Sequence, residues 1–226
     1  MSQKHKKLCD LQAKRREDNF REKNRRWDSY KDISEYQKGC FDFNGCVSPW
    51  TKSARNLNAN FMLVAQDWAS DDYIKGLRVS DPISSLGYNP ELRSNKTIQK
   101  YLFRFLGISF EETYATNAFV FVKPGDISAQ ILTSFFSYSV NTYLKQEIEI
   151  IAAPHVLCLG MKTYRALAKL HKAPQPSVDR SSLARFQDVA GITYYCLPHP
   201  GGHGTASVGG NRNVEGLWEQ LGGITT

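Results

Sequence analysis

The sequence predicts an α/β fold: a three-layer α/β/α sandwich with a central, mostly parallel sheet of four strands, plus a helical N-terminal extension. Two patterns support this prediction, because short apolar runs recur from residue 61 onwards and helix-like segments separate them. The composition agrees with it. The 226 residues are 41% hydrophobic and 23% charged, which is typical of a globular protein and excludes a collagen, a low-complexity chain and an integral membrane protein.

Four segments have the character of strands. FMLVAQ (61 to 66) is a continuous apolar run, and TYATNAFVFV (113 to 122) is rich in β-branched and aromatic residues. HVLCLG (155 to 160) and ITYYCLP (192 to 198) complete the set. Because helical segments lie between them, we expect a mostly parallel sheet that is covered on both faces.

The segments between these strands are predicted as helices. NKTIQKYLFRFLG (95 to 107) is amphipathic and closes at its glycine, and a long helix follows the second strand (128 to 151). Two further helices are expected at 161 to 171 and around 213 to 221, and a glycine-rich loop precedes the last one.

Residues 1 to 50 are predicted as a basic helical extension, and residues 51 to 226 as one domain. Residues 1 to 32 hold eleven Lys or Arg and six Asp or Glu, and this excess supplies most of the net charge of +7. No proline or glycine interrupts that stretch, so a solvated or loosely docked helix is expected. Its charged face is open to two interpretations, ordinary solvation or a contact with nucleic acid.

The five cysteines are spread along the chain without a CxxC pair or a tight His/Cys cluster, so no metal site is expected. The N-terminus lacks the apolar core of a signal peptide, and no stretch approaches the roughly 18 apolar residues of a transmembrane helix. We therefore expect a reducing, intracellular compartment and no membrane contact.

In a parallel sheet, ligands bind beyond the carboxyl ends of the strands, so the polar residues there are the candidates for a site. Asp67 follows the first strand, where a carboxylate can orient water, face a developing positive charge or simply cap the next turn. Asn117 lies within the second apolar segment. Its amide matches the N–H and C=O edge of a pyrimidine, although an Asn in such a position more commonly satisfies buried backbone groups.

The fourth strand runs into LPHPGGHG, in which two prolines bracket His199 and restrict its backbone. His199 and His203 have i, i+4 spacing, but the surrounding glycines argue against a helix that would place both on one metal-binding face. A loop histidine that makes a hydrogen bond is the favoured interpretation of His199.

Three strand-end motifs in this order, AQDW at 65 to 68, ATNA at 115 to 118 and LPHPGGHG at 197 to 204, resemble the signature of the uracil-DNA glycosylase superfamily. APHVLCLGMKTYRAL at 153 to 167 resembles the strand, glycine turn and helix that precede the last motif there. The resemblance covers about residues 60 to 222.

The resemblance assigns roles to the motif residues. Gln66 and Asp67 match the first motif, and Asp67 would position the attacking water and face the oxocarbenium ion. Asn117 would read the pyrimidine edge, and His199 would hydrogen-bond the uracil O2. Tyr88, in SLGYNP, is the nearest candidate for the aromatic residue that stacks on the base.

Several positions depart from the best-studied branch of the superfamily. Trp68 and Ala69 replace a Pro and a Tyr, the latter implicated in excluding the methyl group of thymine. Gly201 loses any hydroxyl contact with a phosphate but keeps its backbone N–H, and His203 stands where a Leu wedges into the duplex. The N–H of Gly202, in the same loop, is a further candidate phosphate contact.

Two cationic residues are candidate phosphate contacts, with surface solvation as the alternative for each: Lys123 and Arg212. The iron–sulfur branch of the superfamily needs closely paired cysteines, and Cys40 and Cys46 are too far apart to match it, so no cofactor is expected.

The resemblance implies a monofunctional DNA glycosylase that hydrolyses the N-glycosidic bond of uracil, or of a related deaminated base, during base-excision repair. The expected partner is single- or double-stranded DNA that contains uracil, and the expected protein is a cytoplasmic monomer, associated with the nucleoid in a bacterium. Two alternatives remain. One is an inactive or weak nucleic-acid-binding member of the superfamily, which the four departures favour, and the other is an enzyme of free nucleosides or nucleotides.

Overall fold

The structure, a computed structural model, describes residues 2–21, 30–41, 49–175 and 181–225. Its sheet has five strands in the order β2-β1-β3-β5-β4. They are β1 (Phe61–Ala65), β2 (Tyr114–Asn117), β3 (His155–Leu159), β4 (Arg185–Gln187) and β5 (Thr193–Leu197). The predicted α/β class and mostly parallel sheet are confirmed, because β2, β1, β3 and β5 run parallel and only β4 is antiparallel.

The predicted number of four strands is wrong by one. The additional strand, β4, is three residues long, and only Phe186 in it is apolar and buried. A run this short has no alternating pattern that a sequence could reveal. It pairs with β5 through Phe186 opposite Tyr194 and extends the sheet at one edge.

The described helices are distributed between and around the strands. They are α1 (Gln3–Arg21), α2 (Asp71–Gly76), α3 (Asp81–Leu86), α4 (Arg93–Tyr101), α5 (Thr133–Ser139), α6 (Lys145–Ile151), α7 (Met161–Leu170), α8 (Gly202–Ser207) and α9 (Asn211–Thr225). Wider π-helical turns continue α4 over Leu102–Leu106 and join α5 to α6 over Val140–Leu144. Short 3₁₀ turns occupy Ile33–Glu35, Gln37–Gly39 and Pro49–Lys52.

The two faces of the sheet bury separate hydrophobic clusters, which makes the fold a three-layer sandwich. Met62 and Val64 of β1 point to the side of α5, α6 and α7, and Leu63 points to the side of α4 and α9. This alternation follows from the two-residue period of a strand. Each face is apolar because helices cover both, as expected for parallel strands.

The second predicted strand, 113 to 122, is wrong in its length. Only Tyr114–Asn117 forms a strand beside β1, and two backbone hydrogen bonds follow it, from the N–H of Ala118 to the carbonyl of Ala65 and from the N–H of Phe119 to that of Gln66. The chain beyond Asn117 stays buried but leaves the sheet, and Val122 exchanges two backbone hydrogen bonds with Lys31. On its outer side, β2 is covered by the chain near Arg55, since the N–H of Ala115 donates to the carbonyl of Ala54.

Helix α1 is confirmed as a helix, but the prediction that it is solvated or loosely docked is wrong. Leu8, Leu11 and Arg15 are buried, and Arg15 Nε lies 2.5 Å from Asp32 Oδ2 inside the protein. The charges that surround these positions in the sequence hide the buried stripe.

Within the described ranges, no helix is long and apolar enough to cross a lipid bilayer. The proposed domain boundary at residue 50 stays a prediction.

Candidate active site

A cavity of about 940 Å³ lies beyond the carboxyl ends of β1, β2, β3 and β5. The parallel register brings these ends to one edge, as Ala65 faces Asn117 and Leu159 faces Leu197 across neighbouring strands. Most of the predicted site residues line this cavity: Gln66, Asp67, Trp68, Tyr88, Asn117, Lys123, His199, Gly201 and Gly202. Segments far apart in the sequence therefore converge on one concave surface.

Asp67 lies two residues beyond β1, and its side chain is 14% exposed. It does not cap the next helix, because Ser70 is the N-cap of α2 and its Oγ accepts from the N–H of Tyr73. The side chain of Lys123 is 8% exposed, and its Nζ atom lies 2.9 Å from Asp67 Oδ2. Among the described residues that oxygen has no partner in hydrogen-bond geometry, so the contact is an ion pair without a directed hydrogen bond.

Asn117 is the last residue of β2, and its side chain is buried on the cavity side of the strand. Its Oδ1 atom has no hydrogen-bond partner in the described part of the chain. The alternative in which this amide oxygen satisfies a buried backbone group is therefore not realised. Leaving a buried acceptor unpaired costs about 1–3 kcal/mol, and a ligand that donates an N–H would remove that cost.

Thr116 and Tyr114 project from the opposite face of β2 and fix a buried carboxylate beneath it. Tyr114 Oη donates to Glu147 at 2.5 Å, and Thr116 Oγ1 donates to its other oxygen at 2.8 Å. Complete burial raises the pKa of Glu147 to about 7, although both donors and the charge of Arg15 oppose the shift. This network anchors the strand that carries Asn117.

His199 lies between two buried prolines at the end of β5, and its ring is exposed on the cavity wall. Its Nδ1 atom accepts a hydrogen bond from the N–H of Gly201 at 3.0 Å. An imidazole that accepts through Nδ1 carries its proton on Nε2 when neutral. His199 is thereby held as a hydrogen-bond donor through Nε2.

The prediction of a glycine-rich loop after His199 is wrong, because residues 202 to 207 form the short helix α8. Its glycines permit close packing on the histidine: a Cβ atom at Gly204 would lie 2.0 Å from the carbonyl oxygen of His199. A Cβ at Gly201 would lie 3.0 Å from His199 Nδ1. His203 is in α8, but its side chain lies outside the described residues.

Two aromatic residues form the apolar part of the wall. Tyr88 is buried with its ring edge against Phe110, and its Oη accepts from Gln99 Nε2 at 3.0 Å. Burial raises the pKa of Tyr88. Trp68 is buried against Phe41, and its indole N–H lacks a hydrogen-bond partner among the described residues. Both rings could therefore contact a planar ligand.

Positive charge surrounds the cavity beyond what the sequence indicated. Among the described residues that line it, Asp67 is the only carboxylate, whereas the cations are Arg93, Lys123, Lys162 and Arg165. Burial and the charge of Lys123 lower the pKa of Lys162, and Asp67 opposes that shift. An anionic ligand therefore meets an excess of positive charge at this wall.

Three of these cations, Arg93, Lys162 and Arg165, were not predicted. They belong to helices α4 and α7 rather than to strand ends, and the segment 161 to 171 was expected only to cover the sheet. The sequence did contain one signal, the glycine at the end of the third apolar run. In the structure Gly160 has φ +121° and precedes α7, so that this helix begins at the cavity.

Lys123 and Arg212 differ in position. Lys123 is buried at the cavity, so ordinary surface solvation is excluded for it. Arg212 is exposed at the start of α9 and does not line the cavity, and its phosphate contact stays a prediction. In the part of the chain that the structure describes, no three His, Cys, Asp or Glu residues are grouped to hold a metal ion.

No protein-family model and no curated protein sequence matches this chain. The resemblance to the uracil-DNA glycosylase superfamily therefore depends on the motifs and on the geometry of the residues that they contain.

Proposed function

We propose that the protein is a monofunctional DNA glycosylase that hydrolyses the N-glycosidic bond of uracil, or of a related deaminated base, in DNA. The observation that carries the proposal is the convergence of Asp67, Asn117 and His199 on one cavity from three separate strand ends. Cleavage of this bond leaves a cation-like sugar and an anionic base, so it needs a carboxylate on one side and a donor on the other.

On the base side, Asn117 and His199 have complementary roles. The unpaired Oδ1 of Asn117 accepts from the N–H of a pyrimidine, and this contact selects among extruded bases. The Nε2–H of His199 donates to the base oxygen on which negative charge accumulates. Removing such a donor reduces the rate by about 10²–10³-fold.

On the sugar side, Asp67 faces the developing oxocarbenium ion and positions the water that attacks it. Its side chain lines the cavity and is 14% exposed, so the carboxylate has access to a water molecule there. Lys123 lies 2.9 Å from the same oxygen and would contact the phosphate next to the reacting sugar. The reaction as proposed needs no metal ion or other cofactor.

The cations around the cavity support DNA as the partner. Arg93, Lys162 and Arg165 line the wall, where Asp67 is the single carboxylate among the described residues, and this excess of positive charge suits a phosphate backbone. The proposal includes single- or double-stranded DNA as substrate and a monomeric protein. It also includes a cytoplasmic location, with the nucleoid as the site of action in a bacterium.

One observation favours the alternative of an inactive or weak DNA-binding protein. Lys123 already neutralises much of the charge of Asp67, and a neutralised carboxylate stabilises a developing cation less. DNA binding that weakens as salt rises is expected of both candidates, so only a chemical assay separates them.

The test incubates the purified protein with labelled oligonucleotides that carry one uracil, either single-stranded or opposite G or A, and then with alkali to break abasic sites. Asp67→Asn and His199→Ala should each lower cleavage by about 100-fold or more, and Asp72→Asn, at an exposed position on α2 outside the cavity, should leave it unchanged. Absence of wild-type cleavage with DNA binding intact would favour the binding protein. Release of uracil from free deoxyuridine at an equal rate would favour an enzyme of nucleosides.

A further inference from the structure

Ile127 combines high exposure with a place on the cavity wall. Three large hydrophobic side chains that are exposed among the described residues also line the cavity: Leu92, Ile127 and Met161. Ile127 is 65% exposed, against 40% and 39% for the other two. Among these three described side chains, Ile127 therefore leaves the largest share of its apolar surface in contact with water at the cavity wall.

The loop that carries Ile127, residues 123–128, is held in place by hydrogen bonds at both ends. The N–H of Asp71 donates to the carbonyl of Lys123 at 2.9 Å, and the N–H of Asp72 donates to that of Gly125 at 3.2 Å. On the other side of Ile127, Asp126 Oδ1 accepts from the N–H of Ser128 at 2.7 Å. A side chain on a fixed loop loses little conformational entropy when it inserts into a partner.

The same loop is connected directly to the proposed chemistry. Lys123, its first residue, makes the ion pair with Asp67, and Ile127 follows four residues later. Four residues span at most about 14 Å, so Ile127 lies within that distance of Lys123 and close to the proposed position of the reacting sugar. An isolated exposed isoleucine gains nothing from water, whereas between unstacked bases it is buried.

We propose that Ile127 is an apolar wedge that enters a DNA double helix and fills the space left by the extruded nucleotide. This inference rests on the proposed function. It assigns the two tasks of base recognition and duplex opening to different segments: the His199 segment binds the base, and the 123–128 loop opens the stack. Extrusion from a duplex costs a few kcal/mol, and a wedge offsets part of that cost.

The test compares Ile127→Ala with Ile224→Ala, a matched control on α9 whose side chain is also exposed but does not line the cavity. Single-turnover excision is measured on uracil in a single strand and in a U:A duplex. Ile127→Ala should lower the duplex rate about tenfold or more and leave the single-strand rate within about twofold, because a single strand has no pair to open. Ile127→Leu should restore most of the duplex rate, and Ile224→Ala should match wild type on both substrates.

Equal losses on the two substrates, an unchanged duplex rate, or wild-type activity confined to single strands would each overturn the wedge and leave the proposed function standing. Absence of wild-type excision on every strand would instead overturn the proposed function. In that case the fluorescence of 2-aminopurine placed next to uracil in a duplex decides the matter. If the fluorescence rises when the wild-type protein binds and does not rise with Ile127→Ala, the wedge is supported. The same fluorescence change with both proteins overturns it.

Discussion

Two ion pairs in this protein, Arg15–Asp32 and Lys123–Asp67, have similar distances and opposite surroundings. Both side chains of Arg15–Asp32 are fully buried, and Asp32 also accepts from the N–H and the hydroxyl of Ser34. Burial raises the pKa of Asp32, but the charge of Arg15 and the Ser34 hydrogen bonds outweigh it and leave that pKa lowered. Lys123–Asp67 lies on a cavity wall, and its carboxylate lacks a directed hydrogen bond at Oδ2.

The difference indicates which pair supports the fold and which is available for chemistry. A carboxylate whose hydrogen-bonding capacity is filled by the protein holds two segments together, here α1 and the turn that begins at Asp32. A carboxylate with unused capacity in a cavity retains lone pairs for water or ligand. Four predictions test that division between scaffold and site, from the largest expected effect to the smallest.

Asp32→Ala should lower the free energy of unfolding by about 3–5 kcal/mol, because it removes the carboxylate that pairs with the fully buried guanidinium of Arg15. The measurement is equilibrium unfolding in guanidinium chloride. Lys96→Ala is the control, since its pair with Glu91 is exposed, and it should cost less than about 1 kcal/mol. A small effect of Asp32→Ala would show that α1 does not depend on this pair.

Glu147 should make stability depend on pH in a defined direction. Its pKa is raised from 4.5 to about 7 in the folded protein, so the folded state binds an extra proton between these pH values. The contribution of Glu147 to the free energy of unfolding is therefore at its maximum below about pH 4.5, and it falls by about 3 kcal/mol as the pH rises to about 7. Glu147→Gln should remove this component from unfolding curves recorded across the range, and an identical pH dependence in both proteins would contradict the assignment.

Gly204→Ala should lower uracil excision about 100-fold, because displacement of a catalytic group by about 1 Å has an effect of this size. The new Cβ would lie 2.0 Å from the carbonyl oxygen of His199, which must move away. Gly223→Ala is the matched control in α9, where a Cβ atom would meet nothing within 4 Å, and it should leave the rate unchanged. Similar excision rates for the two variants would show that the position of His199 does not affect the reaction.

Lys123→Met should lower the free energy of unfolding by clearly less than Asp32→Ala does, since Asp67 borders the cavity and can gain water once its partner is gone, whereas Arg15 and Asp32 are fully buried. Guanidinium chloride unfolding beside Asp32→Ala gives the comparison directly. A loss as large as that of Asp32→Ala would show that the cavity pair also holds the fold together, and the division between the two pairs would fail.

Much of the scaffold could be predicted from apolar periodicity, and the exceptions have physical causes. β1, β3 and β5 are continuous apolar runs, because helices cover both faces of the sheet. β4 has a single buried residue, and β2 ends at Asn117, opposite Ala65, the last residue of β1; neither limit is a local property of the sequence.

The site was predictable as a set of strand-end residues but not as a network of contacts. Asp67, Asn117 and His199 follow from the rule that ligands bind beyond the carboxyl ends of parallel strands. The pairing of Asp67 with Lys123 joins residues 56 positions apart, and it depends on the chain after β2 crossing back toward α2. The fit of Gly204 on His199 depends on α8, which glycine content had argued against.

The way in which the two outer strands of the sheet are finished has a consequence for the behaviour of the protein at high concentration. A free edge strand presents unpaired N–H and C=O groups that can recruit a strand from another molecule and start aggregation. At one edge, the chain around Arg55 already occupies hydrogen-bonding groups of β2, and at the other, β4 is only three residues long with Arg185 and Gln187 exposed. In the described part of the chain, neither edge offers a long, flat template, which disfavours strand-to-strand association.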